Sequence, residues 1–186
     1  MTVSDASTFL TKILDHKRTE VERQALKVPL AQLQTSIATA PRPRAFDAAL
    51  RRPGRVALIA EVKKASPSKG VLVENFDPLA LARTYAENGA AAISVLTEGR
   101  RFKGTLDDLI RVRLAVSVPV LRKDFIITAY QLFEARAAGA DLVLLIVAAL
   151  SDYELVCLIE RAESIGLSGD HHITDERESA CCAGSV

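Results

Sequence analysis

The sequence predicts an α/β protein: parallel strands alternating with helices, preceded by an all-helical leader. Three observations carry this. Four short, nearly continuous apolar segments recur, VALIAEV (56–62), AAISVL (91–96), VPVL (118–121) and DLVLLIV (141–147), as expected of parallel strands covered on both faces. Each is followed by a helix start signal, giving an internal βα repeat of roughly 25 residues. Before Gly54 the periodicity is helical throughout, with no strand signal.

The leader is read first. Residues 6–26 form a helix, with Phe9, Ile13, Val21 and Leu26 apolar among charged neighbours. PLAQLQTSIATA (29–40) is a second amphipathic piece, APRPR (40–44) a loop, and residues 45–52 one more short helix. In the repeat, Asp77-Pro78 sets an N-cap before a proline at the first helical position. Thr105 to Asp108, Thr128 to Gln131 and Ser151 to Glu154 have capping-box spacing. Gly89 and Gly139 close two helices as left-handed C-terminal caps. Four consecutive right-handed βα units point to part of a (β/α)8 barrel or to a doubly wound sheet.

Composition narrows the function classes. The chain has 186 residues, 49% hydrophobic and 25% charged, which suits one globular domain with a sizeable core. Trp is absent and aromatics are few, so the core must be built from Ala, Leu, Val and Ile. A net charge of +1 gives no reason to expect a nucleic-acid or membrane-surface partner. The longest apolar run, 142–150, is too short to span a bilayer. MTVSDASTFL is acidic and polar where a secretory signal is basic and then apolar. Three cysteines make no disulfide framework, and a reducing cytoplasm is the expected compartment.

In both candidate architectures ligands bind at the carboxyl ends of the strands. There the sequence places Glu61 and Lys63, Thr97 and Glu98, and Lys123 and Asp124. Glu61 and Lys63 lie two apart on one strand and share a face, which suits either a barrel-mouth ion pair aimed at an anion or a surface pair. Lys123 is either a general acid for a carbonyl or hydroxyl oxygen or a solvated strand end. Ser66-Pro67-Ser68 is a turn able to receive a carboxylate or phosphate, and equally an ordinary loop. No P-loop, GxGxxG or paired CxxC is present. His171-His172 and Cys181-Cys182 fit no zinc spacing, so no metal is expected. Cys157 reads as a core residue of the fourth repeat helix.

Taken in order, LIAEVKKASPSKG, ISVLTEGRRFKGTLDDL, VPVLRKDFI and GADLVLLIVAAL resemble the first half of indole-3-glycerol phosphate synthase, a barrel lyase of tryptophan biosynthesis. ILDHKRTEVE, VPLAQL and PRAFDAAL resemble that family's N-terminal extension, and the likeness runs from residue 8 to about 168. It implies conversion of 1-(2-carboxyphenylamino)-1-deoxyribulose 5-phosphate to indole-3-glycerol phosphate, with loss of carbon dioxide and water and without cofactor or metal. Carried over, Lys123 is the general acid, Lys63 an anion or hydroxyl contact, and Glu61 its partner and possible proton carrier. Ser66 and Pro67 line the first loop, and Phe102, Phe125 and Leu144 form an apolar wall for the anthranilate ring. Phosphoribosylanthranilate isomerase, another phosphate-handling barrel, lacks the helical leader and the KDF motif.

After Ser168 the resemblance fades. GDHHITD stands where the family has a strand bearing its general-base glutamate, and His172 occupies that glutamate's place. A complete barrel takes about 250 residues. The expectation is an incomplete TIM (β/α)8 barrel: helical extension 1–54, partial barrel 55–168, aberrant tail 169–186. Such a chain would have little or no activity alone. Leu144 and Ile146 would meet water or another chain, with self-association through the open barrel edge. The competing expectation is a non-catalytic half-barrel that folds only by association.

Overall fold

The computed structural model describes residues 3–51, 54 and 56–167. The order is α1 (Val3–Lys27), α2 (Leu30–Thr39), α3 (Phe46–Leu50), β1 (Ile59–Val62), β2 (Ala65–Ser66), β3 (Gly70–Val71) and α4 (Pro78–Glu87). There follow β4 (Ala92–Leu96), α5 (Leu106–Ala115), β5 (Val120–Lys123), α6 (Ala129–Ala137), β6 (Leu142–Val143) and α7 (Asp152–Ser164), with a 3-10 turn at Val147–Ala149. β1, β4, β5 and β6 form one parallel sheet in that order, and β2 pairs with β3 as a small antiparallel hairpin. The protein is thus α/β, with a four-stranded parallel sheet whose strands each lead into a helix.

The local chemistry that starts and stops the helices is as the sequence predicts. Asp77 accepts from the amides of Leu79 and Ala80, and Ser151 and Glu154 exchange cap hydrogen bonds, as do Thr105 and Asp108. Gln131 reaches back to the Thr128 amide. Gly89 and Gly139 have φ of 89° and 86°, the left-handed turn that ends α4 and α6.

The strand bounds differ from the apolar runs. β1 begins at Ile59, three residues into VALIAEV, where its pairing with Ala92 of β4 starts, and Val56 and Leu58 ahead of it are 98% and 61% exposed. β5 is shifted to Val120–Lys123, so Lys123 is the last strand residue instead of following the strand. β6 pairs over Leu142–Val143 alone, and the chain then turns at Val147–Ala149. Ser66-Pro67-Ser68, read as a turn or an ordinary loop, belongs to the β2–β3 hairpin.

Alternation along the strands makes two cores. Outward residues Val62, Ile93, Val95, Val120, Val143 and Leu145 pack under the helices. Inward residues Ala92, Leu121, Leu142 and Leu144 pack with Phe46 of α3. This corrects the expectation that Leu144 meets solvent. It is 4% exposed, because the short leader helix brings Phe46 and Leu50 against the inward face, and Ile146 is half-buried in the same cluster. Cys157 is also corrected: α7 buries Leu158 and Ala162, and Cys157, one position off that stripe, is exposed.

The leader is anchored at the amino-terminal end of the sheet through Asp141, which is fully buried. Its carboxylate accepts from the amides of Arg44 (2.7 Å) and Val120 (2.7 Å) and from Arg113 Nη2 (3.0 Å). The Arg44 guanidinium in turn donates to the Val118 carbonyl at 2.6 Å. The PRPR loop is therefore fastened to α5, β5 and β6 together.

Candidate active site

Three of the predicted charges converge at the carboxyl ends of the strands. Glu61 and Lys63 leave β1 on the inward face, and Lys123 leaves β5 on the same face. β4 lies between those strands, so the side chains must span about 10 Å of sheet, and three long side chains do so. Glu61 Oε1 accepts from Lys63 Nζ and Glu61 Oε2 from Lys123 Nζ, each at 2.5 Å. All three are partly exposed. Burial pushes the Glu61 carboxyl up, but the hydrogen bonds and charges of Lys123 and Lys63 outweigh it and hold the group below the usual carboxylate range. The site is thus a carboxylate bridging the side-chain nitrogens of Lys63 and Lys123.

The other predicted charges serve the scaffold. Thr97, Glu98 and Asp124 are buried and point elsewhere. Glu98 accepts from the amides of Arg100, Arg101 and Phe102 at 3.1, 2.7 and 3.0 Å, shaping the loop that carries Phe102. Gly104 closes that loop against β4: a Cβ there would lie 2.0 Å from the Leu96 carbonyl oxygen, so only glycine fits. Phe102 and Phe125 are half-buried. Ser66 is half-buried and accepts from the Lys69 amide at 3.3 Å, and Pro67 is exposed. The Ala65 amide donates to the Phe102 carbonyl at 3.2 Å, so the loop after β1 touches the loop after β4. Leu144 lies in the inward cluster with Leu121 and Leu142.

Sequence reasoning missed the network behind β5. Asp124 Oδ1 accepts from Lys17 Nζ (2.9 Å) and its Oδ2 from Thr97 Oγ1 (2.8 Å) and Arg122 Nη2 (3.1 Å). Arg122 continues to Glu134 at 2.8 Å. Beside this network lies a cavity of about 460 Å³ lined by Val21, Leu33, Ile110 and Tyr130, residues of α1, α2, α5 and α6. It lies on the outward side of the sheet, away from Lys123. The available signal was Lys17 itself, four residues after Ile13 and four before Val21 on the apolar stripe of α1.

Among the described residues no three His, Cys, Asp or Glu side chains gather as metal ligands, and no helix is long and apolar enough to cross a membrane. His171, His172, Cys181 and Cys182 lie outside the described residues.

Parallel βα units with charged side chains gathered at the strand ends define an α/β protein whose candidate site lies where barrel and doubly wound enzymes carry theirs. The sequence profile of the family "Indole-3-glycerol phosphate synthase" matches residues 10–182, and the chain belongs to that family. Its members are TIM-barrel carboxy-lyases of tryptophan biosynthesis. The indole-3-glycerol phosphate synthase of Roseiflexus castenholzii is 56% identical over 96% of this chain and 69% of its own length. That of Mycobacteroides abscessus is 53% identical over 97% of this chain and 66% of its own length, and that of Streptomyces griseus 53% over 95% and 66%. The chain therefore spans about two thirds of the length of these relatives, and the family match continues past Ser168.

Proposed function

We propose that the chemistry of this chain is that of indole-3-glycerol phosphate synthase: ring closure of 1-(2-carboxyphenylamino)-1-deoxyribulose 5-phosphate to indole-3-glycerol phosphate, with release of carbon dioxide and water. The observation that carries this reading is the Glu61 carboxylate held between Lys63 and Lys123 at the strand ends. Lys123, projecting from the end of β5, gives its proton to the substrate's carbonyl oxygen as the aromatic carbon attacks, and that oxygen later leaves as water. Lys63 receives an anionic or hydroxyl group of the substrate. Glu61 enters as a carboxylate, orients both ammoniums and can take up a proton from either. Ser66 and Pro67 line the first loop, and Phe102, Phe125 and, from beneath, Leu144 supply the apolar wall for the anthranilate ring. No cofactor takes part, and the compartment is the cytoplasm.

The same reading divides the chain into a helical extension (1–54), four βα units of the family's (β/α)8 barrel (55–168) and a segment (169–186) in which His172 stands at the position of the family's glutamate. The second reading, a non-catalytic half-barrel that folds by association, is favoured by one observation: Val56 and Leu58 are exposed immediately before the edge strand β1.

Complementation of a tryptophan auxotroph by this chain separates the two. Growth that is lost on Lys123→Ala supports catalysis by Lys123. Absence of growth, with recovery when the remaining βα units of a relative are co-expressed, supports the half-barrel. Growth indifferent to Lys123→Ala overturns the assignment of Lys123.

A further inference from the structure

We infer that Lys17, on the leader helix α1, is a positioning residue for the strand-end site: it sets the end of β5 from which Lys123 and Phe125 project. The inference rests on the role given to Lys123 above. Lys17 is 2% exposed although it lies in a leader helix, and its ammonium reaches Asp124 at 2.9 Å. Asp124 sits between Lys123 and Phe125, and its own carboxylate accepts from the Phe125 amide at 2.8 Å. One carboxylate therefore joins α1 to the backbone turn that follows Lys123. Asp124 follows the last strand residue and meets Arg122 on the outward side, while Lys123, next to Arg122 on the strand, points to the opposite face, so holding Asp124 there holds Lys123 on the inward side, toward Glu61.

A second contact shows the same helix serving the neighbouring loop. The Arg101 guanidinium lies 4.9 Å over the Phe9 ring of α1, and Arg101 precedes Phe102. Two turns apart on one helix, Phe9 and Lys17 thus touch the two loops that carry the aromatic wall. A buried ammonium is costly unless paired. Lys17 spends that cost at a point where a purely packing residue, such as the neighbouring Ile13 or Leu14, would stabilise more simply.

The test uses the 186-residue chain with its lysines labelled as ¹³C-dimethylamines and assigned one by one by Lys→Arg replacement. Wild type is compared with Lys17→Met, Lys17→Arg and the exposed control Arg18→Met. Two quantities are read: the Lys123 methyl signal, and the affinity for a substrate analogue whose carbonyl is reduced to the alcohol. Lys17→Met is expected to move the Lys123 signal and to weaken the analogue roughly tenfold or more, as misplaced groups do. Lys17→Arg restores both, and Arg18→Met changes neither. If Lys17→Met does not fold, Lys17→Gln keeps a donor to Asp124 without the charge and is expected to give an intermediate shift. A lower melting temperature with an unmoved Lys123 signal would overturn the inference and leave Lys17 a stability residue. A wild-type chain that binds no analogue, but whose Lys123 signal still answers to Lys17, overturns the proposed function and leaves the positioning intact.

Discussion

Asp124 accepts hydrogen bonds from Lys17, Thr97, Arg122 and the Phe125 amide, and each of these stabilises its charged form. Burial pushes its carboxyl up, but Arg122 and Lys17, with the hydrogen bonds from Lys17 and Thr97, hold it below the usual range. For Lys17 burial acts in the opposite direction, lowering the ammonium, and the charges and hydrogen bonds of Asp124 and Glu20 outweigh it and raise it. A carboxyl depressed in the folded state contributes stability that is fully present above its unfolded value, about 3.9. That contribution is lost as pH falls through the folded value. The raised lysine contributes below its unfolded value, about 10.4, and loses that share as pH rises through its folded value. Urea unfolding from pH 7 down to pH 2 is therefore expected to show a steeper acid loss for wild type than for Asp124→Asn. At neutral pH, Asp124→Ala should cost about 3 kcal/mol, since the buried Lys17 and Arg122 each lose one carboxylate partner and keep only Glu20 and Glu134. Equal acid slopes in wild type and Asp124→Asn would contradict this account.

The helices of this protein begin where their side chains can satisfy their first amides, and for that reason they are the elements most legible in the sequence. Asp77-Pro78, Thr105 with Asp108 and Ser151 with Glu154 act within four residues of themselves, so nothing distant is needed to read them. Strand ends depend on a partner. Nothing within VALIAEV says that pairing starts at Ile59, and nothing within DLVLLIV says that it stops at Val143, because both limits are set by neighbouring strands. The site was half legible for the same reason. Glu61 and Lys63 share a face by alternation, whereas the burial of Asp124 against Lys17 joins residues 107 apart, counting from 17 to 124. Two substitutions test the element-level account. Thr105→Ala removes a solvent-facing cap and should cost about 1 kcal/mol. Gly104→Ala forces a Cβ against the Leu96 backbone, 2.0 Å away in the present geometry, and should cost at least ~2–3 kcal/mol. Urea midpoints at constant slope measure both. A Gly104→Ala cost no larger than that of Thr105→Ala would mean that the loop after β4 yields easily, against the close packing described.

At the scale of the whole molecule, β1 and β6 are the outer strands of the sheet among the described residues. An outer strand offers unpaired amides and carbonyls to any second chain unless charge, proline or a covering element blocks it. β6 pairs over only two residues before the chain turns away, so it presents little edge. β1 is longer, and just ahead of it the large apolar groups Val56 and Leu58 are 98% and 61% exposed among the described residues. The inward face is otherwise protected, since α3 brings Phe46 onto Leu121, Leu142 and Leu144. Association is therefore expected to run along β1 and not through the floor of the sheet. Sedimentation velocity over a rising concentration series should show species heavier than the monomer. The pair Val56→Lys and Leu58→Lys, which places charge beside that edge without touching Glu61, Lys63 or Lys123, should return the chain to the monomer. Phe46→Ala is the contrasting variant: it opens the inward face, so it should cost about 3–5 kcal/mol and increase association. A double-lysine variant that associates as strongly as wild type would move the contact away from β1, leaving the inward face as the surface through which copies meet.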